Sequence, residues 1–429
     1  MKQDYYKNLQ SEAAAQLEKY VQQANRYTLY RTICFFALIF AFAAAYDGLT
    51  AAGIIGLFML LLFCRLIRQH NRLKQQIQLV QNALAVTDNY LAHFNGHWQE
   101  LPDKGEDFYA PNRPQDIDLH IFGKASLYQY LCCCRTALGR QKLAKALTVT
   151  PPSPAVITQR QKAVAELLER QRLCVELLAR SRRLPDGHDT AALIAEINGQ
   201  HHRYISHMLQ RTAWLLPLLT FASLGLALLD FSSWQIPGLL MLLQFAIAML
   251  FHRQNQAILA PLMSINHELH AYQALFIHLG ETNFTNESLQ KTADTLSREA
   301  APALQKLARL ADHVNLCRNL FFYVLGNALL LWDCHCAARF ARWQDNAAQN
   351  LAGWLNLWAE MELYISLAMA GHTRENYTFP QLLAGSPTLK VDGLTSLLLD
   401  EKNAIPNDTF MQAETRIITG SNMSGKTTY

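Results

Sequence analysis

The densest chemistry in the chain lies in its closing residues. Gly420, Ser421, Asn422, Met423, Ser424, Gly425, Lys426, Thr427 and Thr428 follow a β-branched stretch, residues 415–419, with the spacing G-x-x-x-x-G-K-T. That spacing makes a phosphate cradle. Gly420 and Gly425 let the backbone curl until successive N–H groups point at phosphate oxygens. Lys426 adds a point charge for the β- and γ-phosphates, and the Thr427 hydroxyl completes the shell of a Mg2+ ion held with the nucleotide. Thr428 opens a helix whose N-terminal dipole faces the phosphates. The expected ligand is therefore ATP with Mg2+. Hydrolysis also needs a second, acidic strand and a group that orients water. Neither fits before Tyr429, so no catalytic residue is expected within this sequence, and ATPase activity is expected of a longer parent chain.

The elements that must position this loop are mostly helices, some of them suited to lipid. Apolar residues make up 51% of the chain and charged residues only 17%, and the apolar ones gather in blocks. Residues 32–64 form one block, interrupted by Asp47 and Gly48, and residues 213–251 repeat the design around Asp230. Each half holds roughly 15 apolar residues against about 20 for a straight span, so flanking residues must snorkel or the bilayer must thin. Two membrane hairpins are predicted. Arg26 and Arg31 precede the first, Arg65, Arg68, Arg72 and Lys74 follow it, and Arg211 and Arg253 bracket the second. Basic flanks stay on the cytoplasmic side. Both hairpins should dip from the cytoplasm into a bacterial-type inner membrane, multi-pass, with the N-terminus and the ATPase domain inside. Buried core hairpins are the competing reading. Residues 320–332, shorter and containing Asn327, read as a core helix.

The organisation is a mainly α chain. Residues 1–95 carry the first hairpin (about 32–64), whose helices extend outward as an antiparallel pair, and residues 96–115 form a loop. Residues 116–375 form a helical core and lever domain interrupted by the second hairpin (about 213–251). Residues 376–429 begin an α/β P-loop domain with its first strand at 415–419. Within the core, helices are expected on either side of Pro151, Pro152 and Pro154, then over residues 188–210, 252–280 and 287–371.

Other clusters carry less chemistry. Nine cysteines, three of them adjacent at Cys132, Cys133 and Cys134, suit reduced thiols rather than a disulfide framework. Cys334, His335 and Cys336 continue a helical pattern and lack the loop and fourth ligand of a metal site. The net charge of +4 does not by itself argue for nucleic acid. Arg160, Arg170, Arg172, Arg180, Arg182 and Arg183 read as a solvated helix face, with DNA contact the competing reading.

The loop around Asn422 and Met423 resembles that of the MutS family of mismatch-repair ATPases, which carries Asn-Met between its glycines. Residues 405–408 resemble the segment leading into that family's ATPase strand. Glu362 to Ala368, followed by Asn376 and Tyr377, resembles its returning lever helix. Arg135 to Arg140 and Gln159 to Val164 resemble the opening helices of its core. In order, these matches bracket residues 116–429. The resemblance implies long helices feeding an ATPase domain that binds ATP and forms a homodimer through shared nucleotide sites, and it brings in DNA as a candidate partner. The chain departs from the family in three places. No mismatch-reading domain precedes the core, the second apolar hairpin stands where the DNA clamp would be, and Ala404 replaces an aromatic often stacked on adenine.

Two functions from different classes follow. One is a membrane-anchored MutS-like ATPase in which nucleotide state moves helical levers. The alternative is a DNA-repair protein that binds mismatched or branched DNA while tethered to the membrane. A transporter half ranks below both, because the short hairpins offer no discontinuous polar helix for a substrate path.

Overall fold

The computed structural model describes residues 2–46, 50–110, 112–148, 152–199, 207–383, 385, 388–401 and 404–419. These residues are mainly helical. In chain order, α1 (Lys2–Tyr46) and α2 (Thr50–Phe94) precede the short α3 (Gln115–Asp118) and α4 (Leu127–Leu131). Then come α5 (Ala137–Thr148), α6 (Pro154–Glu169), α7 (Gln171–Ser181) and α8 (Thr190–Asn198). The apolar α9 (His207–Leu228) and α10 (Gln235–Leu250) lead to α11 (His252–Ser264), α12 (Asn266–Gly280), α13 (Glu287–Thr295) and α14 (Ala301–Leu316). The helical part closes with α15 (Leu320–Leu330), α16 (Trp332–Trp343) and α17 (Gln349–Thr373), followed by β1 (Thr388–Leu394) and β2 (Asn407–Gln412). Local signals account for several starts. Pro154 opens α6, where a missing N–H costs nothing, and the side chains of Asp189, Asn286 and Asn319 accept the first backbone donors of α8, α13 and α15.

The chain divides into two compact units. One comprises Met1–Leu131, Leu167–Arg182 and Ala368–Tyr429, and the other Cys132–Glu166 and Arg183–Leu367.

In the first unit, α1 and α2 run antiparallel, with Gln3 bonded to Asn95, Gln10 to Asp88, and the Cys34 thiol to the Met59 carbonyl. Strong helix formers fill the polar halves, so each helix continues unbroken from polar to apolar half. The apolar halves meet through small residues: a Cβ added to Gly56 would lie 3.6 Å from that of Ala41. Such residues let helices approach closely without a hydrophobic drive between them. The large side chains turn outward, and Ile33, Phe40, Ile54, Phe58 and Leu61 are each more than half exposed.

The two strands also belong to this unit. They pair antiparallel, Thr388 opposite Gln412 and Lys390 opposite Phe410, with an irregularity between Val391 and Leu394. Gly393 sits there at φ 68°, donating to the Asp408 carboxylate. Residues 415–419 do not form the expected strand. A first strand of a P-loop sheet needs ladder partners, and none of the described strands pairs with it; Ile417 is 86% exposed.

The second unit has a conventional core in α11, α12, α14, α16 and α17, where Leu262, Phe276, Leu307, Phe340 and Trp358 are buried. In α14, Leu304, Leu307, Ala308, Ala311 and Val314 recur at the spacing of one helix face. The cluster of α9, α10 and α15 is built the other way round. Its buried residues include Thr220, Gln244 and Asn327, all at 0% exposure, while Trp214, Leu218, Leu239, Leu242, Leu320 and Phe321 are each at least two-thirds exposed. The Gln244 amide donates to the Thr220 hydroxyl at 2.5 Å. Polar residues inside and bulky apolar ones outside is the arrangement of helices solvated by hydrocarbon.

Several predicted helices are interrupted. The helix expected over 188–210 ends at Asn198, and the helical region expected over 287–371 contains a turn at Cys317–Asn319 and a corner at Leu331. Residues 320–332 are not a core helix, since the apolar face of α15 is exposed and Asn327 is what it buries. Leu331 adopts φ 47° as the chain turns through 82° between α15 and α16. Asn327 holds that corner. Its amide donates to the Tyr323 carbonyl, its side-chain oxygen accepts from Asp333 N–H, and its backbone carbonyl accepts from Leu331. Among the described residues, three helices are long and apolar enough to cross a membrane: Lys2–Tyr46, Ala51–Phe94 and Met208–Leu228. Two bent pairs, one built on α10 and α11 and one on α15 and the helix after it, meet the same test of length and composition.

Candidate functional site

The predicted nucleotide loop, Gly420 to Thr428, lies outside the described residues. The run-up to it does not, and it is anchored in the first unit. The Lys2 ammonium donates to the carbonyls of Gly371 (2.7 Å) and Arg374 (2.6 Å), where the last turn of α17 leaves carbonyls without helical partners. It also lies 4.7 Å from the centre of the Tyr377 ring. Arg374 in turn donates to the carbonyls of Leu397 and Leu399.

Beneath these contacts lies a buried aromatic knot. Tyr6 stacks on Tyr90 with centroids 4.4 Å apart, and Tyr90 Oη lies 3.3 Å from His372 Nδ1. His372 Nε2 meets the Leu167 carbonyl at 3.2 Å, and a carbonyl only accepts, so Nε2 carries the proton and Nδ1 accepts from Tyr90. Burial drives the His372 pKa down to about 4, with the Lys2 charge adding to the effect, so the ring is neutral at ordinary pH. The Tyr130 and Thr373 hydroxyls bond at 2.9 Å. The base of the α1–α2 hairpin and the end of α17 are thus one packed body. The sequence singled out neither Lys2 nor His372, because their partners are hundreds of residues away.

In the second unit the structure brings together two stretches that the sequence had flagged separately. Glu362 of α17 caps the N-terminus of α5. One carboxylate oxygen accepts from the backbone N–H of Arg135 (2.9 Å) and Thr136 (3.3 Å), and the other is bonded to the Thr136 hydroxyl. The Thr136 oxygen accepts from Gly139 N–H at 3.1 Å, a side-chain N-cap. One turn on, Ser366 accepts from Cys133 N–H. Glu362 is fully buried, and burial raises its pKa to about 7 despite those donors, which favour the ionised form. Arg135 pairs with Asp186, and Lys142 with Glu360 at 2.7 Å.

The remaining flagged residues are occupied locally. Of the six arginines between residues 160 and 183, only Arg172 is exposed, and it pairs with Glu12 and Glu176. Arg182 and Arg183 are half-buried. Cys334 accepts from the Asn255 amide, and His335 Nε2 bonds to the Ala213 carbonyl at 2.9 Å. That carbonyl is the one Pro217, four residues on in α9, cannot serve because proline has no N–H.

No protein-family model, curated protein or solved structure matches the chain.

Proposed function

We propose that this chain is the helical and membrane part of a MutS-like ATPase, leading into its nucleotide loop, and that nucleotide state acts on the helices through the end of α17. The observation that carries the reading is the spacing of Gly420, Gly425, Lys426 and Thr427 around Asn422 and Met423. ATP with Mg2+ is the ligand, and the ATPase domain is the site of homodimer formation. In support, residues 368–399 are fastened to the base of α1 and α2 by Lys2, His372 and Arg374, so displacement of the nucleotide domain reaches the hairpin directly.

The same proposal places residues 32–64 and 213–251 in a bilayer as hairpins entered from the cytoplasm, with α15 beside the second. The inverted polarity around Thr220, Gln244 and Asn327 supports it. Direct DNA contact by the arginines of α6 and α7 is left out of the proposal, because their side chains are mostly half-buried.

The test is binding of a fluorescent ATP analogue to the full-length protein in detergent, with Mg2+ and with EDTA. Saturable, Mg2+-dependent binding that Lys426→Ala abolishes is the expected result. Equal binding by both proteins overturns the reading. Nucleotide-sensitive binding of branched DNA with a steep salt slope would move the function to repair at the membrane.

A further inference from the structure

We propose that the cleft between α9 and α16 binds the phosphate of an anionic phospholipid headgroup. The cleft has a volume of about 490 Å3 and is lined by Arg211, Trp214 and Leu215 of α9 and by His335, Ala338 and Arg342 of α16, among others. A larger groove of about 780 Å3 shares Arg342 and adds Lys306, Arg309 and Arg339, with Glu299 its one carboxylate among the described lining residues. Arg211, Arg309, Arg339 and Arg342 form no ion pair among the described residues. The Arg342 Nε bonds the Ala338 carbonyl of its own helix, which leaves the end of the guanidinium to the cleft. Positive charge is thus concentrated, exposed and uncompensated. A guanidinium presents paired donors that match phosphate oxygens.

What distinguishes lipid from soluble phosphate is the position of the cleft along α9. Arg211 stands immediately before the apolar run, and Trp214, 67% exposed, lies edge-on to the His335 ring at 4.8 Å. Beyond it, Leu215, Leu218 and Leu219 continue outward along the same helix, each more than half exposed. A basic residue, then an indole, then bare leucines is the order of headgroup, interface and acyl chain across half a bilayer. The site is also rigidly built. His335 donates to the carbonyl freed by Pro217, pinning α9 to α16 at the level of the cleft. Basic pockets between helices at the cytoplasmic face are a recognised mode of anionic lipid binding.

The inference rests on the membrane reading of α9 and α10, and the two are tested separately. Flotation of the full chain with phosphatidylcholine vesicles, resistant to alkaline carbonate, tests insertion. Native mass spectrometry in detergent, titrated with phosphatidylglycerol or phosphatidylcholine, tests the site. Wild type and R211Q/R342Q should float equally, while the variant loses phosphatidylglycerol affinity by about twenty-five-fold, about fivefold for each arginine. A charge-matched control, R65Q/R68Q on the flank of the first hairpin, should keep wild-type affinity. Equal losses in both variants would mean diffuse charge attraction and would overturn the site. Displacement of the lipid by equimolar inorganic phosphate would assign the site to soluble phosphate instead. A wild-type protein that fails to float overturns the membrane reading, and with it this site. Flotation without phosphatidylglycerol preference overturns the site alone.

Discussion

Gly139 lies directly beneath Glu362: a Cβ built on the glycine would collide with a Glu362 carboxylate oxygen. The close approach lets one side chain from α17 serve three donors at the start of α5, those of Arg135 N–H, Thr136 N–H and the Thr136 hydroxyl. Gly139→Ala should therefore destabilise the second unit by about 1–3 kcal/mol, although alanine is the better helix former, because the carboxylate must move off its donors. Denaturant unfolding of the variant checks this, and unchanged stability would sink the account.

The same carboxylate makes a pH prediction. Its folded pKa, about 7, lies above the ordinary 4.5, so the folded state holds this proton more tightly than the unfolded chain does. The stabilisation is fully present below about pH 4.5 and is lost as pH rises through about 7. The difference corresponds to roughly 3 kcal/mol. Glu362→Gln preserves the oxygen that accepts from the backbone and places a donor opposite Thr136. The variant should match wild type near pH 5, exceed it at pH 8, and show a flatter profile. Glu362→Ala leaves two backbone N–H groups buried without an acceptor and should cost about 1–3 kcal/mol at either pH.

His372 pulls the other way in the first unit. Its folded pKa of about 4 is below the ordinary 6.5, so its contribution is present above about pH 6.5 and is lost as pH falls toward 4. Hydrogen exchange, corrected for intrinsic rates, should show the end of α17 and the base of α2 losing protection over that window. His372→Phe should remove the dependence while weakening the knot. A wild-type profile that is flat from pH 6.5 to 4.5 would contradict the neutral buried ring.

Lys2 supplies the clearest mechanical test. Lys2→Met removes the cation from the Gly371 and Arg374 carbonyls and should cost about 1–2 kcal/mol locally. The expected readout is faster tryptic cleavage after Arg374 with global unfolding little changed.

In the apolar cluster, Gln244→Leu alone should weaken α9–α10 association by about 1 kcal/mol, because the Thr220 oxygen loses its donor while its hydroxyl still donates to the Leu216 carbonyl. Combined with Thr220→Val it should be close to neutral. A double-mutant cycle in detergent measures the coupling, and additive single effects would show that the bond contributes nothing.

Much of the architecture was legible in the sequence, and the parts that were not share a cause. Length and composition announced the apolar helices, and proline, aspartate and asparagine marked several starts. The corner at Leu331 was not legible, because it depends on Asn327 bonding to Asp333 six residues away rather than on a glycine or proline. Nor does the composition of residues 320–332, which suits a core helix, show that Asn327 is the part of α15 that is buried. Residues 415–419 have strand composition, but a strand is made by its neighbours. For the site, the nucleotide loop proposed at 420–428 rests on spacing alone. Glu362 and Gly139 were noticed only as family likeness, since no local pattern reveals a contact across more than two hundred residues.

From Lys2 to Arg31 α1 runs about 45 Å at 1.5 Å per residue. With the apolar ends in a bilayer, as proposed, the His372 knot stands that far from the lipid, carried on a two-helix mast about twice as tall as a DNA duplex is wide. Forces from the proposed nucleotide domain would reach the membrane as sliding or twisting of two antiparallel rods, and crosslinks placed along the mast, such as a cysteine pair replacing Gln10 and Asp88, would lock that travel without touching either end.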